Sequence, residues 1–184
     1  MHAWRARQML GKRKRTLLLG LVFVIFLVLS YVENTLFFGI SSMLLQNQLL
    51  AVGIIFLHNV IVVSLALLGM TFYVDLVVSD FFNGQKYEYT VLNHPRIFAM
   101  LFTAVVLFLS ILRGSIIFFG GIDFEVLPFI LLVSAPIGII EGYGMYLTIS
   151  RTLSRTMSMK WLAHIYSVFF IAAVIEVVFM NLLI

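Results

Sequence analysis

Five long apolar runs, at about 16–32, 50–74, 97–119, 126–150 and 161–183, occupy most of this chain. A bilayer's hydrocarbon core is about 30 Å thick and takes about 20 apolar residues of helix to cross. Backbone N–H and C=O groups find no water there, so a run of this kind has to satisfy its hydrogen bonds internally, as a helix. The remaining composition agrees: 62% of the 184 residues are hydrophobic, 11% are charged and the mean hydropathy is +1.12. These values lie far above the roughly half-apolar usage of soluble domains. The expected fold class is all-α, a polytopic transmembrane helical bundle of about five spans forming a single integral membrane domain over residues 1–184.

The charges set the expected orientation. Six Lys and Arg precede the first run, Lys86 and Arg96 lie between the second and third, and Arg151, Arg155 and Lys160 lie between the fourth and fifth. The connections at 33–49 and 120–125 contain none. By the positive-inside rule the N-terminus is cytoplasmic and the C-terminus outside, with only Arg113 falling within a span. The basic "KRKR" ahead of the first run resembles the start of a signal peptide. However, Thr16 to Val32 is nearly long enough to span, and Glu33 and Asn34 make no small-residue cleavage site, so an uncleaved first helix is expected. The stretch "LFFGISSMLLQNQLL", near 36–50, is too short to cross and reads as an interfacial or re-entrant helix. Asn83-Gly84 marks a turn on the inner side.

Polar groups inside the runs each need a reason, because an ionisable side chain at mid-bilayer costs roughly 2.5 kcal/mol or more. They are His58 and Asn59 in the second run, Arg113 in the third, Glu141 in the fourth and Glu176 in the fifth. Counting rise per residue places Asn59, Arg113 and Glu176 at similar depths in the outer half, which predicts an Arg113–Glu176 ion pair with His58 or Asn59 nearby. Glu141 lies nearer the midplane with no cation at its level, so it is expected either to be held neutral by desolvation or to hydrogen-bond a residue such as Ser64 or Asn59. Around it, "APIGIIEGYG" (residues 135–144) holds Pro136 and three glycines, which predicts a discontinuity in the fourth helix. Gly138 and Gly142 also form a small-residue face that lets two helices approach closely.

Several chemistries lack their parts. The chain has no cysteine, which removes thiolate nucleophiles, thiolate metal sites and disulfides. No Gly-x-Ser-x-Gly or glycine-rich phosphate loop occurs. Asp75, Asp80 and Asp123 all fall in connections, away from the membrane depth that a paired-aspartate protease needs. His58, Glu141 and Glu176 could supply two or three metal ligands but show no metal-ligand spacing. No enzymatic activity, metal or cofactor is therefore expected. The basic excess reads as orientation rather than nucleic-acid binding.

The order "FLHNVIVVSLALLGM" (56–70), "FFNG" (81–84), "PIGIIEGYGMYLTIS" (136–150) and "FFIAAVIEVVF" (169–179) resembles the stage II sporulation protein M family of integral membrane proteins. That family has five spans, an Asn in the second with a Gly about ten residues later, and then an Asn-Gly. A Pro-His-Gly-x-x-Glu stretch follows in the fourth span and an Ala-Ala-x-x-Glu stretch in the fifth. Asn59, Gly69, Asn83, Gly84, Pro136, Gly138, Glu141 and Glu176 fall on those positions. Ile137 replaces the family's histidine, so any chemistry of that histidine should be missing here. The resemblance implies a multi-pass protein of a prokaryotic plasma membrane that belongs, in spore formers, to a machine acting on the envelope.

Two functional expectations stand side by side. One is a non-enzymatic subunit of a membrane complex, with the lipid bilayer, other membrane proteins and further copies of itself, a homo-oligomer, as partners. The other is a transporter or channel for an ion or small solute using the intramembrane carboxylates. Closed packing with every polar group paired favours the first, and a polar cavity reaching Glu141 favours the second.

Overall fold

A computed structural model describes Lys14, residues 16–32, Thr35, and residues 47–78, 91–119 and 127–183. At 109–119, 127, 129–134, 179–180 and 182–183 the backbone alone is described. Helices dominate, and no strand occurs among the described residues. We number the long ones α1 (Thr16–Val32), α2 (Gln48–Val78), α3 (Pro95–Phe119), α4 (Leu127–Leu153) and α5 (Met159–Leu183). Each overlies one apolar run of the sequence. Two of them, α2 and α5, are long and apolar enough to cross a membrane among the described residues.

The helix ends follow local chemistry. Asn47 caps α2, its Oδ1 accepting the Leu50 N–H at 3.2 Å, so one of the orphan donors of the first turn is satisfied. Gln48 to Leu50, the end of the stretch expected as an interfacial helix, thus belong to α2, and 36–46 lie outside the described residues. Pro95 occupies the first position of α3, where a missing N–H is harmless. Ser158 caps α5 through the Trp161 N–H at 3.4 Å. At the end of α4, Thr156 N–H donates to Arg151 C=O at 2.9 Å and Arg155 N–H donates to Thr152 C=O at 3.0 Å. This closure requires the left-handed backbone that Arg155 adopts, with φ 54°.

The expected break in the fourth helix does not occur. Helix α4 runs through Pro136 from Leu127 to Leu153. A proline removes one backbone donor and its ring crowds the carbonyl four residues back, yet the helix continues through it, its following turns packed against α2, α3 and α5.

Helix α4 is the hub, packed on α2, α3 and α5, while α2 also packs on α5. Its C-terminal half carries Met145, Ile149 and Leu153, which meet Ala99 of α3 and Val74 of α2 in one buried cluster. Leu147 meets Val63 of α2 and Ile165 and Phe169 of α5 in another. Further along, Ala51 and Ile55 of α2 pack on Ala173 and Val177 of α5. Small residues let the helices' backbones approach closely. The clearest case is α1 on α2: a Cβ at Gly20 would stand 3.0 Å from the Phe72 ring, and one at Gly69 would stand 2.9 Å from the Phe23 ring. The two rings lie stacked with centroids 6.2 Å apart.

Outward faces are apolar. Leu17, Leu21, Val24 and Val28 form an exposed stripe on α1, and Ile97, Leu101, Val105 and Phe108 form another on α3. Contiguous apolar surface on this scale is the mark of a membrane or partner-facing exterior.

Candidate functional site

Midway along the bundle the helices leave a cavity of about 470 Å³. Its polar wall comes from Ser30 and Tyr31 of α1, His58 and Asn59 of α2, Thr103 of α3 and Glu141 of α4. Phe169 of α5 and Leu107 of α3 supply apolar wall. The opening exists because of the small residues on α4. Gly142 admits Thr103 and Leu107, whose side-chain carbons would stand 3.6 and 2.9 Å from a Cβ placed there. Gly138 lies on the same face, with Leu107 Cδ2 4.0 Å from its Cβ position. The Gly-x-x-x-Gly face is thus occupied within the chain, by α3.

Hydroxyls in the apolar helices mostly satisfy themselves by donating to the carbonyl four residues back. Thr71, Thr148, Thr152 and Ser167 do so at 2.6 to 2.8 Å. Thr103 does not: its Oγ1 is buried and makes no hydrogen bond. Asn59 Nδ2 is likewise buried and unbonded, although the Asn59 side chain is the one that approaches the Glu141 carboxylate. The approach therefore stops short of a full hydrogen bond. Leaving a buried donor unmade costs about 1–3 kcal/mol. Both groups share one cavity wall with the Glu141 carboxylate. By volume the cavity holds several waters or one small solute.

The placement of the expected residues divides. Asn59 approaches Glu141, as one of the two neighbours expected for it. Ser64, the other expected neighbour, hydrogen-bonds Tyr166 at 3.1 Å instead. Glu176 is close enough to Glu141 to interact electrostatically but does not line the cavity. Gly69 seats Phe23 and takes no part in the cavity wall. Pro136 lies one turn before Glu141 in the continuous helix. The Arg113 side chain, and Asn83 and Gly84, lie outside the described residues. Thr103, Ser30 and Tyr31 were not anticipated, and the signal for Thr103 was a lone hydroxyl within "IFAMLFTAVVLF". Comparison with protein-family models, with curated proteins and with solved structures finds no match to the chain.

Proposed function

We propose that the chain is a non-enzymatic, multi-pass protein of a prokaryotic plasma membrane whose five-helix bundle passes a small cation through the Glu141 cavity. The observation that carries this reading is the cavity wall itself: one carboxylate approached by the Asn59 amide, a buried Thr103 hydroxyl without a hydrogen bond, and no Lys or Arg among the described lining residues. A negative or hydrogen-bonding lining of this kind takes a cation or proton in preference to an anion. The purely structural reading, a packing subunit of a membrane complex, is supported by the resemblance to the stage II sporulation protein M family. It expects every buried polar group to be paired, and the Thr103 hydroxyl runs against it.

The test is cation flux into proteoliposomes loaded with a pH- or cation-sensitive dye under an imposed diffusion potential. Wild-type protein should conduct at least one of H⁺, Na⁺ and K⁺ above protein-free vesicles, and Glu141→Gln should remove most of that flux while eluting as a folded, monodisperse species. Flux equal to protein-free vesicles for all three ions, or unchanged by Glu141→Gln, refutes transport through this cavity.

A further inference from the structure

A second cavity, of about 310 Å³, lies at the end of the bundle where α3 begins and α4 ends. Its polar lining is Arg96, Tyr146, Ser150, Arg151, Ser154 and Thr156. We propose that this cavity binds a phosphate group: two guanidinium groups supply the charge, and hydroxyls supply neutral donors around them.

The arrangement follows from the fold. Ala99, one turn into α3, is fully buried against Met145, Ile149 and Leu153 of α4, which fixes Arg96 beside the last turns of α4. Arg151 is held from the other side, its guanidinium carbon lying 3.9 Å from the centroid of the Trp161 ring. A cation over an indole face is attracted by the ring, and stacking orders a side chain that would otherwise lose rotamer freedom on binding. The left-handed closure at Arg155 folds Thr156 back onto the Arg151 carbonyl, which brings its hydroxyl to the same cavity. Neither Arg96 nor Arg151 meets a carboxylate among the described residues, so the positive charge of the cavity stands uncompensated there.

Guanidinium groups recognise phosphate oxygens through paired, charge-assisted hydrogen bonds. The location gives the ligand two sources. Arg96, Arg151, Arg155 and Lys160 all cluster at this end, with Trp161 in the first turn of α5, as expected where a bundle meets the membrane surface. Basic pockets between helices at that level bind anionic lipid head groups, and a free phosphate from the aqueous side presents the same oxygens.

The experiment uses the full chain in neutral detergent, with a short-chain phosphatidylglycerol, a short-chain phosphatidylcholine and inorganic phosphate as separate probes. Binding is read by thermal shift and by adduct retention in native mass spectrometry. Wild type should be stabilised by phosphatidylglycerol or by inorganic phosphate, with an affinity at least about tenfold above that of Arg96→Gln and Arg151→Gln, the loss expected for one charge-assisted contact. Arg96 is exposed on the first turn of its helix, so its substitution leaves folding intact and keeps the test decisive if Arg151→Gln loosens the Trp161 contact. Phosphatidylglycerol alone assigns a lipid head group, and a response to both probes assigns the phosphate itself. No response to either, a response equal to that of phosphatidylcholine, or equal affinity in Arg96→Gln overturns the proposal.

Discussion

Alanine placed at three glycines should produce a graded series that measures how closely the helices pack. At Gly53 a new Cβ meets nothing within 4 Å, so Gly53→Ala should gain up to about 1 kcal/mol from helix propensity alone. At Gly142 the Cβ would stand 2.9 Å from Leu107 Cδ1, the end of a flexible and half-buried chain that can turn aside. At Gly144 it would stand 2.5 Å from Phe169 Cε2, 3.0 Å from Cζ and 3.1 Å from Cδ2. Carbon contacts are comfortable at about 3.5–4.0 Å, so the ring has to retreat by about 1 Å. Phe169 is only 3% exposed and packs among Val63, Leu147 and Ile165, which leaves the cavity as its only yielding side. Overpacking of this kind costs about 1–3 kcal/mol, set against the same propensity gain as at Gly53. The expected order of stability in mixed-micelle unfolding is therefore Gly53→Ala, then Gly142→Ala, then Gly144→Ala, with the extremes about 1–3 kcal/mol apart. Shortening the ring relieves the clash, so Gly144→Ala and Phe169→Leu should be non-additive in a double-mutant cycle. Equal stability of Gly53→Ala and Gly144→Ala, or additivity in that cycle, would refute the packing described for α4 and α5.

Two further substitutions test local geometry. Arg155 sits at φ 54°, where a side chain costs roughly 1–2 kcal/mol, so Arg155→Gly should raise stability by about 1 kcal/mol in the same unfolding assay. The Ser64–Tyr166 hydrogen bond at 3.1 Å should show a coupling of about 0.6 kcal/mol in a Ser64→Ala and Tyr166→Phe cycle, the usual size for such bonds between membrane helices.

Much of the architecture was legible in the sequence because the bilayer's thickness leaves a long apolar run little freedom. The helices α1, α3, α4 and α5 begin and end within three residues of the runs that predicted them, and only α2 extends further at its C-terminal end. The candidate site was legible in part. Glu141 and Asn59 stood out as polar residues in apolar surroundings, and their mutual approach needed only the helices' relative heights. Those heights depend on where each helix starts, and Asn47's cap moves the start of α2 outward from the apolar boundary. Thr103 was hidden because a threonine in an apolar helix normally bonds its own backbone, and nothing local reveals that this one does not. Arg96 and Arg151 were visible only as orientation signals. Their juxtaposition depends on Ala99 being small enough to bury against α4, a three-dimensional fact with no mark in the string.

The reciprocal seating of Phe23 on Gly69 and Phe72 on Gly20 bears on the order in which the protein is made. Helix α1 is synthesised before α2, and both of its docking partners lie about fifty residues later in the chain, so α1 forms before its permanent neighbour is present. Because Ser30 and Tyr31 belong to α1 and Phe169 to α5, the wall of the Glu141 cavity is drawn from residues about 140 positions apart in the chain, and it is complete only once α1 and α5 are both in place.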